Sequence, residues 1–196
     1  MERTFNALPI RELGPGAGYR RPTQTLAVRV TSGSPALDVM TDLTRASPAT
    51  IRPQAPVDGA NQFMIARGVR LLLVVDDREV VLGIITATDI LGEKPMLVSV
   101  ERGLKHAELT VGDIMTPAEH VEVLALADVE AARVGHVVET LKRAGRQHAL
   151  VVDADGGRRM VRGIFSVSQI ARQLGLPLHT TEVARTFAEI EAVLGH

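Results

Sequence analysis

The sequence predicts an α+β fold of two βαββα-type repeats, each a mixed three-stranded sheet with helices, packed with pseudo-two-fold symmetry. Three observations predict it. Asp38-Val39-Met40-Thr41, Leu73-Val74-Val75-Asp76 and Gly83-Ile84-Ile85-Thr86 return in the same order as Asp113-Ile114-Met115-Thr116, Leu150-Val151-Val152-Asp153 and Gly163-Ile164-Phe165-Ser166. Each copy carries a pair of apolar, β-branched runs around a polar turn, the pattern of a β-hairpin. Each also carries an amphipathic stretch that ends at a glycine, the pattern of a helix with a C-terminal stop. Tandem units bury a shared surface, and the crevice between them offers concave space to a small ligand.

Along the chain, residues 1–33 read as an N-terminal arm and a short strand. Gly14-Pro15-Gly16-Ala17-Gly18 and Arg20-Arg21-Pro22 favour open backbone. Leu26, Val28 and Val30 then alternate with Ala27 and Arg29 at strand period. The first repeat, residues 34–92, opens at Ser34-Pro35, a serine cap followed by proline. A helix from Pro56 sets Val57, Ala60 and Met64 on one face before Gly68, and strands follow over Leu71 to Val75 and Val80 to Ile85. A short strand near Thr50-Ile51 precedes that helix and makes the parallel crossover.

Residues 93–109 connect the copies. Gly92-Glu93-Lys94-Pro95 breaks the preceding helix, and partly helical structure follows. The second repeat, residues 110–175, starts with the capping box Thr110-Val111-Gly112-Asp113. It continues through a strand at Val121 to Leu124, a helix with Val134, Val137, Val138 and Leu141 before Gly145, and strands at His148 to Val152 and Met160 to Phe165. In residues 176–196, Val183, Phe187, Ile190 and Leu194 make one apolar helical stripe, which either docks on the chain's own body or pairs with a partner subunit.

Composition narrows the function. With 196 residues, 45% hydrophobic and 23% charged, the chain can bury a sizeable core. Lys plus Arg is 22 against 23 Asp plus Glu, a net charge of -1 that supplies no field for a nucleic-acid backbone. Cysteine is absent, so there is no disulfide, thiolate nucleophile or cysteine zinc site, which suits a reducing compartment. No apolar run approaches the roughly 20 residues that span a bilayer, and the start Met1 to Asn6 lacks a secretory pattern; a cytoplasmic protein without membrane contact is expected.

Chemistry concentrates where the second hairpin strand runs into a helix. Gly83-Ile84-Ile85-Thr86-Ala87-Thr88-Asp89 and Gly163-Ile164-Phe165-Ser166-Val167-Ser168-Gln169 each place a glycine for close backbone approach and a hydroxyl at the helix cap. Asp89 can accept hydrogen bonds from both hydroxyls of a ribose. Thr-x-x-Asp and Ser-x-x-Gln are equally capping boxes that need no ligand. The six histidines, His106, His120, His136, His148, His179 and His196, lack the short spacing of a metal pair. Ser32 to Ser34 has no base beside it, so no catalytic constellation is assembled and no enzyme is expected.

The ordered set Asp-Val-Met-Thr, a glycine-terminated helix, Leu-Val-Val-Asp and Gly-Ile-Ile-Thr-Ala-Thr-Asp resembles the CBS domain, named after cystathionine β-synthase, whose tandem pairs are called Bateman modules. The likeness covers about residues 34–92 and 110–175. The resemblance implies an adenosine ligand, AMP, ADP, ATP or S-adenosylmethionine, bound in clefts between the domains, and no required cofactor or metal. It matches Asp89 to the ribose acid, Thr86, with Thr88 and Gly83 in the same turn, to the phosphate side, and Ala49, Thr50 and Ile51 to the adenine wall. In the second copy it matches Ser166 and Ser168 to the hydroxyls and Val121 to Val123 to the wall, with Gln169 where the acid belongs. Arg70, Arg146 and His148 open the middle strands where phosphate contacts are expected, or stand as solvated strand ends.

Glutamine replaces a charged acceptor by a neutral amide, a loss on the order of 1 kcal/mol, so the resemblance implies unequal sites with the Asp89 cleft the stronger. The leading expectation is a stand-alone regulatory module that senses an adenine nucleotide as a homodimer or acts on a separate effector protein. The alternatives are a dimerisation module with vestigial sites and, least favoured, a nucleotide enzyme, since Asp77, Glu79 and Asp89 show no paired catalytic spacing.

Overall fold

The computed structural model describes residues 29–155, 158–176, 187–190 and 192. A 3-10 turn, Ala36–Val39, leads into β1 (Thr41–Asp42) and β2 (Thr50–Ile51). Then come α1 (Val57–Arg67), β3 (Leu71–Val75), β4 (Val81–Thr86) and α2 (Ala87–Leu91). The connector holds α3 (Lys94–Arg102). The second copy contains α4 (Val111–Ile114), β5 (Thr116–Pro117), β6 (Val123–Ala125), α5 (Leu126–Ala131), α6 (Val134–Ala144), β7 (His148–Asp155), β8 (Arg158–Ser166) and α7 (Val167–Gln173). Among the described residues no helix is long and apolar enough to cross a membrane.

The mixed sheets expected from the sequence are present, but each has four strands, ordered β2-β3-β4-β5 and β1-β8-β7-β6. Three strands in each belong to one repeat and the fourth comes from the other. Thr116 pairs with Ile84 across β5 and β4, and Thr41 pairs with Ile164 across β1 and β8, both antiparallel. A two-residue edge strand carries no periodicity, so local pattern could not announce it. Its partner lies on the other repeat, which only the folded chain reveals. Asp42 fastens the β1 crossing: it contacts the Arg162 guanidinium and accepts from the Thr44 hydroxyl at 2.7 Å. Burial pushes the Asp42 pKa up, but the Thr44 hydroxyl and N–H together with Arg162 outweigh it and hold the carboxyl below its usual range.

The opening turns are exchanged in the same way. Ala36, Val39 and Met40 are buried with Val129, Val134, Val138, Leu141 and Phe165 of the second repeat. Val111 and Ile114 of α4 are buried with Val57, Ala60, Met64, Leu72 and Ile85 of the first. Backbone hydrogen bonds seal both joins: Val134 N–H to Ser34 O at 2.9 Å, and Val111 N–H to Ala55 O at 2.8 Å. Ser34 is not the helix cap that the sequence suggested, because its Oγ accepts from Thr31 N–H and Pro35 takes the cap position. Thr110 does donate its N–H and hydroxyl to Asp113 Oδ2, at 2.8 and 2.7 Å. Those two bonds, then Arg102, hold the Asp113 carboxyl below its usual range against the effect of burial.

The glycine-terminated helices form where expected, with Gly68 and Gly145 in the left-handed region at φ 64° and 61°. The six-residue α5 is an addition, and its Val129 reaches the second core. Every residue of β3 is buried because the strand is covered on both faces. Leu72 and Val74 meet the helices, while Leu71, Leu73 and Val75 meet Leu150 across the gap between the sheets. Of the C-terminal stripe, Phe187 and Ile190 are buried on the chain's own second core; Val183 and Leu194 lie outside the described residues. Leu26 and Val28 also lie outside them, and Val30 is buried without belonging to a strand.

Gly83 was expected to let a ligand approach; it lets the exchanged strand approach instead. A Cβ there would collide with the backbone carbonyl oxygen of Thr116, whereas one at Gly163 would meet the flexible Met40 thioether. Overpacking of this kind costs about 1–3 kcal/mol, least where the neighbour can move. Gly83→Ala is expected to lower the stability measured by urea denaturation by an amount in that range, and Gly163→Ala by clearly less.

Candidate functional site

The strand-to-helix turn of the first repeat builds an acid held from three sides. Thr86 caps α2, donating its N–H and hydroxyl to Asp89 Oδ2 at 2.9 and 2.6 Å, and accepting from Asp89 N–H at 3.2 Å. The capping box is therefore formed. It occupies one carboxylate oxygen; Oδ1 receives Lys94 Nζ at 3.2 Å, and that ammonium also reaches Met115 O at 3.4 Å. The second repeat does not repeat this. Ser166 makes no side-chain cap; its Oγ lies 2.9 Å from Ser168 Oγ. Gln169 Nε2 donates to Gln173 Oε1 at 3.4 Å, and Gln173 donates to Asp38 O at 3.0 Å. The expected Ser-x-x-Gln box is thus replaced by an amide chain along α7.

A cavity of about 240 Å³ lies between the repeats. Thr86, Thr88 and Asp89 line it from the first copy, with Leu71 and Ile84 as its apolar floor; Thr116, Val121, Glu122, Arg146, Gln147, His148 and Leu150 face them from the second. The structure thus gathers Thr86, Thr88, Asp89, Val121, Arg146 and His148 in one place. Other candidates stand elsewhere. Ala49 and Ile51 pack on the helix-side core of the first repeat, and Thr50 pairs with Leu73 in parallel. Gly83 faces Thr116, and Ser166, Ser168 and Gln169 do not line this cavity. Val123 borders a smaller, neighbouring cavity of about 140 Å³.

Strand exchange explains the regrouping. β5 crosses to the edge of the first sheet, so the wall opposite Asp89 is the segment that begins at Thr116 rather than the first repeat's own Ala49-Thr50-Ile51. Sequence reading overlooked Thr116, Gln147 and Lys94, and took Glu122 only as part of the wall from Val121 to Val123. Thr116 alone carried a signal, as the last residue of the repeated Asp-Ile-Met-Thr.

Register also reorders the basic residues. Leu71 pairs with Thr86 and His148 with Ser166, so His148 is the counterpart of Leu71, and Arg70 that of Gln147. Arg146 Nη2 lies 3.2 Å from Glu122 Oε2. Asp76 Oδ1 accepts from Arg78 and Val80 N–H, and Asp77 lies 3.8 Å from Arg52. Burial, then the Arg70 charge, lowers the His148 pKa from 6.5 to about 4, against an opposing pull from Asp89.

His148 is therefore neutral at pH 7. The unfolded chain takes up its proton below about 6.5 and the folded chain only below about 4. Stability contributed by the neutral ring is complete above the unfolded value and falls as pH drops through that window, by about 1 kcal/mol per pH unit. Urea denaturation at pH 7.5 and 5.0 is expected to show a larger loss of stability for the wild type than for His148→Gln, which cannot titrate.

Residues 37–95 match the family model described as "CBS domain". Among solved structures, an uncharacterized conserved protein from Pyrococcus horikoshii superposes with a TM-score of 0.54 at 22% identity, covering 78% of this chain and 100% of that one. CBSX2 from Arabidopsis thaliana, solved in complex with AMP, gives 0.52 at 24% identity, covering 71% and 95%. The CBS domain pair of protein MJ0100, solved with 5′-methylthioadenosine and S-adenosyl-L-methionine, gives 0.50 at 24%, covering 73% and 97%. A search of curated proteins gives no match. The first repeat is thus similar to the CBS domain, and the chain has the fold of a tandem CBS pair.

Proposed function

We propose that the chain is a regulatory module that binds an adenosine ligand in the cavity between its repeats. The observation that carries this reading is the meeting of Asp89, Thr86 and Thr88 from one repeat with Thr116, Val121 and Arg146 from the other around one open cleft. A ribose donates its hydroxyls to the Asp89 carboxylate, whose Oδ1 keeps a free lone pair beside Lys94. The apolar floor of Leu71, Ile84 and Leu150 takes the base. Pairs of the same fold that hold AMP, or 5′-methylthioadenosine with S-adenosyl-L-methionine, support the ligand class.

In this reading no bond is made or broken. The ligand touches both repeats, so it favours whichever arrangement of the two sheets binds it better, and that difference in affinity is the signal. The Asp89 cleft is the stronger of the two, since Gln169 is an amide already engaged along α7. We further propose that the signal is read by a second copy or by an effector protein. Exposed Leu91, Met96, Leu97 and Val100 on α2 and α3 favour such an association.

Calorimetry with AMP tests the site. Asp89→Asn keeps an acceptor for the cap while removing the charge. Hydrogen bonds to charged groups contribute roughly 1.5–3 kcal/mol against about 0.5–1.5 for neutral ones, so affinity is expected to fall roughly fivefold to twentyfold. Gln169→Ala is expected to leave AMP binding unchanged. Equal loss in both variants refutes the assignment of the cleft.

A further inference from the structure

We propose that the cavity selects adenosine ligands bearing at most one phosphate, and that Glu122 sets this preference by holding Arg146 and repelling a longer phosphate chain. The inference rests on the adenosine reading above and names the ligand class within it.

The charges around the cavity carry the argument. Its lining includes two carboxylates, Asp89 and Glu122, and one cation, Arg146. That cation is already committed to Glu122 at 3.2 Å, and Lys94, which does not line the cavity, to Asp89 at 3.2 Å. His148 is a neutral ring at pH 7. Arg70, whose charge is felt at His148, is nearby but does not line the cavity. A phosphate monoester brings about −1.5 to −2 at neutral pH, and each further phosphoryl group adds about one more charge. A single phosphate is met by Arg146, at the cost of sharing it with Glu122. Among the described residues that line the cavity, a triphosphate finds no further cation.

Size points the same way. At about 240 Å³ the cavity falls below the roughly 300–1,000 Å³ of pockets that enclose drug-sized ligands. It holds a nucleoside, and a longer tail must run out over the rim. Glu122 stands on that rim with its side chain 78% exposed. A tail leaving there meets a like charge.

The test is calorimetry on the full chain with 5′-methylthioadenosine, AMP, ADP and ATP, without divalent cations and at fixed ionic strength, for the wild type and Glu122→Gln. In the wild type AMP and 5′-methylthioadenosine are expected to bind at least about tenfold more tightly than ATP, the equivalent of about 1.4 kcal/mol. In Glu122→Gln the ATP deficit is expected to shrink several-fold while the uncharged 5′-methylthioadenosine is unaffected. ATP binding as tightly as AMP overturns the selectivity. An ATP deficit that persists unchanged in Glu122→Gln overturns the role of Glu122. Binding by none of the four compounds overturns the adenosine reading itself, a result distinct from either.

Discussion

Neither repeat of this chain closes its own core. The constraint that organises everything else is the reciprocal exchange of an opening turn and an edge strand. Val111 and Ile114 fill a space among Val57, Ala60, Met64 and Leu72, while Ala36 and Val39 fill the equivalent space among Val134, Val138 and Leu141. Fully burying such side chains contributes roughly 1.5–3 kcal/mol each. A repeat stripped of its partner's turn would expose that surface and lose the backbone bonds at Ala55 and Ser34 as well. The facing of the two sheets through Leu71, Leu73, Val75 and Leu150 follows from these two clasps.

The same exchange makes the cavity composite. Asp89 is presented by a cap inside one repeat, but what it faces is carried in by β5 and the start of β7 from the other. The carboxylate does two tasks with two oxygens. Oδ2 closes the helix start, and Oδ1 looks toward Lys94 and the cavity edge. The Thr-x-x-Asp cap thus fixes in place the acid on which the proposed ligand site relies.

Much of the fold was legible because its signals are local. Gly68 and Gly145 end helices, the runs at Leu71 and His148 begin strands, and the Asp-Val-Met-Thr echo announced the duplication. What could not be read was whatever depends on a partner distant in sequence. Thr41 and Thr116 form strands only because Ile164 and Ile84 await them. For the same reason the adenine wall was sought at Ala49 to Ile51, within the repeat that holds Asp89. Lys94 looked like part of a helix break, and its role emerges only where α3 turns back beside α2.

Covalent linkage of interleaved halves has an evolutionary corollary. A lone ancestral repeat, built to trade its first turn and edge strand, would have needed an identical companion, and both grooves would then have carried identical residues. Fusion into one gene frees corresponding positions to drift apart. Asp89 and Gln169 occupy corresponding places in sequence yet one holds an acid in a cap and the other lies in an amide chain. Asymmetry between the two strand-to-helix turns is thus open to a single polypeptide and closed to two identical chains.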